Sequence, residues 1–260
     1  MSTTTDEELA SFPEPTWDEL SIFEQISLMP PATQNVMVDE LVANGLDITS
    51  PDVMLRPKQL SIVRDFDSWV SAYCGGRGTG KTKVGSEWVN ERAERFPGSQ
   101  GALLGRTVAD VRDVMVKGES GILASAREDF MPEYRPSLRL IEWPNGSIAQ
   151  TYSADAPDQL RGPQQHWLWA DEAAAYSPKP DSSGATAWDN ALLSTRLGER
   201  PQLLVTTTPK RVPLVRWLYH QALSDPRVTL TEGSTFENRS NLSPDYIAAI
   251  HGKYAGTHLE

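Results

Sequence analysis

The chain has 260 residues of ordinary globular composition, a formal net charge of −11 and one cysteine. These values suit one large domain with or without an appendage. They exclude an intrachain disulfide framework, and no apolar run reaches the ~20 residues that a helical membrane span needs. The charge is unevenly placed: residues 1–50 carry ten Asp or Glu and no Lys or Arg, leaving 24 bases and 25 acids beyond them. An acidic extension therefore precedes a near-neutral body that neither demands nor forbids contact with nucleic acid.

The start, MSTTTDEELA, lacks the basic and apolar regions of a signal peptide, so a soluble cytoplasmic chain is expected. Residues 1–14, polar and acidic with Pro13, predict a flexible start. Trp17 to Leu28 and Thr33 to Ala43 place Leu20, Ile22, Phe23 and Ile26, then Val36, Met37, Leu41 and Val42, at helical spacing around Met29-Pro30-Pro31. Two short amphipathic helices are expected, either packed on the body or docking a partner. A further helix is predicted from Leu55 to about Trp69, with Pro57 suited to its first position.

The stretch that organises the chain follows. Between the apolar run Val70 to Cys74 and a helix-like segment, Val84 to Ala93, lies Gly75-Gly76-Arg77-Gly78-Thr79-Gly80-Lys81-Thr82, which fits G-x-x-x-x-G-K-[ST]. The glycines let backbone N–H groups turn inward toward phosphate oxygens, and the following helix adds its positive end. Lys81 has the reach for the β- and γ-phosphates, and Thr82 offers a hydroxyl for Mg²⁺. With a nucleotide expected here, Gln59 carries the donor and acceptor that reading an adenine edge needs, although one Gln on a helix is as readily solvated. Cys74, ending the apolar run, reads as a small core residue.

Gly101 to Gly105 is a second apolar strand, followed by a helix to about Val116. Ser137 to Glu142 and Ser147 to Tyr152 flank Asn145-Gly146, a hairpin signal. A polar loop from Ser153 to Pro163 leads into Trp167-Leu168-Trp169-Ala170-Asp171-Glu172, an apolar strand ending in two carboxylates. Downstream of a P-loop this is the form of a Walker B element, with Asp171 to hold Mg²⁺ through water and Glu172 to polarise the water attacking the γ-phosphate; alone it would be a solvated turn. Gln202 to Thr208 is another buried strand, stopped by Pro209, and its threonines are either plain β-formers or hydroxyls placed to sense a γ-phosphate. A helix near Leu214 to Leu223, a strand at Val228 to Leu230 and a helix at Pro244 to Tyr254 complete the chain.

From about Leu55 onward the segments LRPKQ, GGRGTGKT, LLGRTVADVRDVM, NGSIAQTYSADAPDQLRGPQ, WLWADEAA, WDNALLSTRLG, LLVTTTP, STFENRSNL and KYAGTHLE together resemble the large terminase subunit, the DNA-packaging ATPase of tailed bacteriophages. The resemblance implies an α/β P-loop NTPase of the additional-strand catalytic-glutamate type: a mainly parallel sheet flanked by helices, with residues 51–260 as the ATPase domain and residues 1–50 as an acidic helical extension. It implies an ATP- and Mg²⁺-dependent motor that drives double-stranded DNA into a procapsid. The partners implied are the portal protein, the small terminase subunit and further copies in a ring, from a chain monomeric in isolation. No membrane is implied, and the setting is the host cytoplasm and, transiently, the portal vertex. By the same resemblance Arg56 and Gln59 match the adenine-reading motif, and Thr206, Thr207 and Thr208 the coupling motif. Arg77 matches an arginine inside the P-loop that approaches the γ-phosphate in cis, and Arg161 an arginine presented to the neighbouring subunit. Large terminases continue into a ribonuclease-H-like nuclease domain, which is expected to be absent from this chain, and with it nuclease activity. A P-loop helicase would require a second core domain after the threonine-rich strand, and a binding-only module would not require Glu172.

Overall fold

A computed structural model describes residues 15–254; the start expected to be flexible and the last residues of KYAGTHLE lie outside them. The chain divides into two compact units. One gathers the described residues up to Ser61, the short stretch Gly76–Thr79 and the described residues from Gly233 on, and the other holds 62–75 and 80–232.

The second unit is built on an eight-stranded sheet. Its strands are β1 (Val70–Gly75), β2 (Gln100–Gly105), β3 (Glu133–Arg135), β4 (Leu140–Glu142), β5 (Ile148–Ser153), β6 (Trp167–Asp171), β7 (Gln202–Thr207) and β8 (Val228–Gly233), in the spatial order β3-β4-β5-β2-β6-β7-β1-β8. Strands β5, β2, β6, β7 and β1 run parallel, while β3, β4 and β5 pair antiparallel. The parallel centre is covered on both faces, which is why β1, β6 and β7 are apolar runs rather than alternating ones. Strand β7 separates the strand that leads into the P-loop from the strand that ends in Asp171, so the mixed α/β fold of a P-loop NTPase with an added strand is the one that forms.

One face buries Val70, Ala72, Leu104, Leu168, Ala170, Leu203 and Val205 against Trp188, Ala191 and Leu218, which come from helices Ala187–Ser194 and Pro213–Ser224. The opposite face carries helix Lys81–Arg95, and the fit there is close. A Cβ on Gly85 would lie 2.0 Å from the Trp169 indole, and one on Gly101 would lie 2.1 Å from the Trp167 ring. Trp88 meets Trp167 edge to face at 6.3 Å. Near the helix end, Arg92 is fully buried, 4.3 Å from the Trp88 ring centre and 4.4 Å from that of Phe66. Burial pushes its guanidinium down to about 9, which leaves it charged at neutral pH.

Arg92 also explains why the helix expected to reach Trp69 is only Pro57–Val63. Its guanidinium takes the carbonyls of Val63 and Asp65, and the Asp65 carboxylate accepts from the N–H groups of Asp67 and Ser68, both at 3.0 Å. These bonds replace the helical ones with a turn. The hairpin forms at Asn145-Gly146, with Gly146 at φ +83° and the Trp143 N–H donating to Ser147 O at 2.9 Å. Its first strand begins at Leu140 rather than Ser137, because Pro136 to Arg139 form the turn from β3, with the Leu138 N–H on Arg135 O. After β2 the helix expected to run to Val116 is Val108–Asp110 followed by a π-helical turn, Val111–Val116.

In the first unit, the segment Trp17 to Leu28 splits into a 3₁₀ turn, Trp17–Glu19, and helix Ile22–Ser27. Ser21 and Glu24 form a capping box that starts the helix. The next helix is Pro31–Ala43, and none of its residues is buried. Val36, Met37, Leu41 and Val42 do not make one apolar face: at 100° per residue they spread over about 240° of the helix. The expectation of an amphipathic second helix is corrected accordingly.

Helix propensity alone would favour alanine at position 85 by about 1 kcal/mol, whereas overpacking a closed contact costs roughly 1–3 kcal/mol. The indole that faces Gly85 is held by its own hydrogen bond, Trp169 Nε1 to Thr206 Oγ1 at 2.8 Å, so it has little room to yield. Gly85→Ala is therefore expected to lower the melting temperature; a rise in a thermal scan would show that the contact is slack.

Candidate nucleotide site

The P-loop runs through both units, and each part is built from its own neighbours. In the second unit, Gly80 takes φ +85° and opens helix Lys81–Arg95 in the left-handed region that glycine tolerates. Lys81, the first helical residue, is buried. Its ammonium donates to the carbonyl of Gly75 at 3.1 Å and lies 3.4 Å from Glu172 Oε1. Thr82 follows on the first turn, half-buried.

Strand β6 delivers Asp171 and Glu172, and β7 holds both. Asp171 stands in register with Thr206, whose hydroxyl donates to Asp171 Oδ1 at 2.6 Å while accepting from Trp169. The Thr207 hydroxyl, on the other face, accepts the Ala174 N–H at 2.9 Å. Thr208 Oγ1 donates to Glu172 Oε2 at 3.0 Å. Glu172 itself has φ +48°, a conformation that a non-glycine residue adopts only when its surroundings impose it. Beyond it the Tyr176 hydroxyl donates to Leu104 O at 2.5 Å, and burial pushes that phenol well above its usual range. Three consecutive threonines thus secure the metal-ligand candidate, the loop after it and the carboxylate candidate for water.

In the first unit, the loop carbonyls are engaged one after another. Thr235 Oγ1 donates to Arg77 O at 2.8 Å, Asn238 Nδ2 to Gly78 O at 2.5 Å, and Gln59 Nε2 to Thr79 O at 3.0 Å. Gly78 has φ +79°, Gly76 is buried, and Thr79 returns its hydroxyl to Gly76 O at 3.1 Å. Gln59 accepts the Arg56 N–H at 3.1 Å, so one amide N–H and one lone pair are left over from these two bonds. Arg56 is buried, donating from Nη2 to Asn238 Oδ1 at 2.7 Å with Glu24 Oε2 3.9 Å from its Nε. The side chain of Arg77 is exposed.

Arg161, at the end of a 3₁₀ turn, is half-exposed, and its Nη1 donates to Ser182 at 3.2 Å with Asp158 at 3.7 Å. In this chain it is held between its own turn and the segment after β6, where Asp181 Oδ2 lies 3.9 Å from its Nε. Cys74 is buried and free, as a core residue, and burial pushes its thiol up. Sequence reasoning assigned no role to Thr235, Asn238 or Glu24, because no local pattern ties residue 238 to a carbonyl 160 positions earlier.

The family described as terminase large subunit, T4likevirus-type, N-terminal, matches residues 72–259. This chain belongs to it. Solved terminases share its fold. The ATPase domain of the large terminase of Thermus phage P74-26 is 17% identical, with a TM-score of 0.60 over 84% of this chain and 93% of that one. The large terminase of the thermophilic bacteriophage D6E in complex with ADP is 16% identical, with a TM-score of 0.63 over 78% and 51%. The HK97 bacteriophage large terminase is 14% identical, with a TM-score of 0.59 over 76% and 47%. This terminase chain spans about half the length of the D6E and HK97 proteins. No curated protein matches the sequence.

Burial pushes the Asp171 carboxyl up to about 6, against the opposing Thr206 hydrogen bond and with a further push from the charge of Glu172. The folded chain therefore keeps a proton that the unfolded chain, at the ordinary 3.8, releases. The stability this proton contributes is fully present below that lower value and lost as pH rises through the higher one. Denaturant titrations at a series of pH values are expected to show a flatter decline between about pH 4 and pH 6 in Asp171→Asn than in the wild type; identical slopes would assign the proton to another group.

Proposed function

We propose that this chain hydrolyses ATP with Mg²⁺ and, as the motor of a packaging terminase, drives double-stranded DNA into a procapsid. The observation that carries the proposal is Lys81 bonded between Gly75 O and Glu172, with Glu172 held in turn by Thr208. Glu172 lies opposite the lysine charge, 3.4 Å from it. Phosphate oxygens would compete for that ammonium, releasing the carboxylate to orient and deprotonate the attacking water.

The residues present fit Mg²⁺. Asp171 and the Thr82 hydroxyl are hard oxygen ligands, of the number this ion takes from protein when nucleotide phosphates and water supply the rest. Among the described residues no three His, Cys, Asp or Glu converge into a cage of their own. When bound, the ion would neutralise charge on the phosphates. Arg77 would approach the γ-phosphate from the loop. Gln59 retains an N–H and a lone pair for an adenine edge with Arg56 beside it, a part of the proposal that rests on the family resemblance. Thr206, Thr207 and Thr208, bonded to Asp171, the Ala174 N–H and Glu172, would transmit phosphate loss into the sheet.

The proposal extends to the setting: a ring of copies on a portal protein, a small terminase subunit as partner, and action in the host cytoplasm at the portal vertex. It takes residues 1–50 as an extension to an ATPase domain of residues 51–260. It assigns this chain no nuclease activity, so plasmid incubated with it and Mn²⁺ or Mg²⁺ should stay intact; cutting lost on substitution of one of its acidic residues would refute this.

Lys81→Ala is expected to abolish tight ATP binding, while Glu172→Gln should bind ATP normally and lose turnover by roughly 10²- to 10⁴-fold. Titration calorimetry and phosphate release separate the two effects, and wild-type turnover in Glu172→Gln would remove it from the chemistry.

Arg161 is expected to act across subunits, its contacts with Asp158, Asp181 and Ser182 giving way on assembly. Hydrolysis by the isolated chain should then be slow and rise more steeply than linearly with protein concentration. Arg161→Ala should keep nucleotide binding and lose a stimulation of about 10³- to 10⁵-fold. Mixing Arg161→Ala with Glu172→Gln chains should restore activity, since one interface can unite the intact residue of each. A fully active monomer that loses its activity on removal of Arg161 would assign the arginine to its own site.

A further inference from the structure

We infer that Thr235 and Asn238, with Gln59, are positioning residues that set the phosphate-facing amides of the P-loop, and that Glu24 in the acidic extension anchors this clamp. The inference rests on the nucleotide-binding reading of the P-loop and adds residues that neither the motif nor the family segments single out for a role.

A trans peptide is planar, so its C=O and N–H point in opposite directions. The carbonyls of Arg77, Gly78 and Thr79 each accept a side-chain hydrogen bond, from Thr235, Asn238 and Gln59 respectively. The N–H groups in the same three peptide planes belong to Gly78, Thr79 and Gly80, and they are turned away from the clamp. A loop that binds phosphate through N–H groups needs this division between its two sides. Glycine supplies the freedom to adopt it, and in exchange the loop has no preference of its own. The clamp provides the preference.

The donors are themselves fixed. Asn238 cannot rotate its amide, because its Oδ1 accepts from Arg56 Nη2 at 2.7 Å and from Asn241 Nδ2 at 3.0 Å, which leaves Nδ2 for Gly78. Behind it stands Glu24, buried. Its Oε1 accepts from Asn241 Nδ2 at 2.9 Å and Ser240 Oγ at 3.0 Å, while Oε2 faces Arg56 and caps its own helix through the Ser21 N–H at 2.9 Å. The buried guanidinium of Arg56 therefore has a carboxylate from the extension on one side and the Asn238 amide on the other. Residues 24, 56 and 238, far apart in sequence, form one network whose last member is a P-loop carbonyl.

The test uses the full chain and reads ATP affinity by calorimetry beside the melting temperature of the nucleotide-free protein. Asn238→Asp keeps an acceptor for Arg56 but cannot donate to Gly78 O; Thr235→Val keeps shape but loses its donor, and Thr235→Ser restores it. Asn238→Asp and Thr235→Val are each expected to weaken ATP binding about tenfold, the effect of one buried bond left unmet, with Thr235→Ser at wild-type affinity. Glu24→Gln should weaken binding in the same direction. Wild-type affinity in Asn238→Asp and Thr235→Val, whatever happens to the melting temperature, would overturn the clamp, as would an equal loss in Thr235→Ser and Thr235→Val. Wild-type affinity in Glu24→Gln alone would remove the anchor. Lys81→Ala marks the boundary with the underlying reading: if wild type and Lys81→Ala bind ATP alike, nucleotide binding at the P-loop itself fails, and if only the wild type binds, the clamp variants judge the clamp.

Discussion

A β-strand sends successive side chains to opposite faces, and at the end of β7 that alternation distributes three adjacent threonine hydroxyls among three different groups. Thr206 faces Asp171 and Trp169, Thr207 takes the Ala174 N–H across the sheet, and Thr208 holds Glu172. The arrangement requires β7 to lie beside β6 in the register Asp171 to Thr206. A shift of one residue would turn every hydroxyl to the wrong side. The position of β7 between β1 and β6 is thus the constraint on which both carboxylates depend, and Lys81, bonded between β1 and the end of β6, spans the inserted strand.

Much of this was readable from residues in order. The P-loop, the Trp167–Asp171 strand and the β7 strand were legible because a strand buried on both faces is an uninterrupted apolar run and its punctuation is chemical: glycines, a carboxylate pair, a proline. Element ends were less legible. The helix after Pro57 stops at Val63 because of Arg92, nearly thirty residues on, and a guanidinium that captures carbonyls from another segment leaves no trace in local spacing. Likewise Pro31–Ala43 has apolar residues at intervals that resemble a helical pattern until their angles are summed. The site itself was half legible. Residues that meet phosphate or metal belong to short motifs, whereas residues that hold the backbone, Thr235 and Asn238, are ordinary polar positions whose meaning is given only by what the fold sets opposite them.

The two buried arginines solve one physical problem in different ways. Arg92 is wrapped by aromatic rings and main-chain carbonyls, a neutral setting that spreads its charge over several dipoles and fixes two segments of the second unit. Arg56 has a carboxylate and an amide, a setting that ties helix starts in the first unit to the segment Thr235–Asn241. Replacing either with an apolar residue would leave donors and acceptors without partners, which is the larger part of what such a change costs.

The outermost strand at one side of the sheet is β3, three residues long, with Glu133 and Arg135 flanking Tyr134. Arg135 is paired with Glu133 at 2.9 Å and with Glu142 of β4 at 3.2 Å. Such a border gives an incoming strand little to copy: it is short, and its side chains carry charge that pairing would have to desolvate. What draws further strands to an edge is its row of unpaired N–H and C=O groups. At this border, the charged fringe disfavours pairing with the strand of another chain.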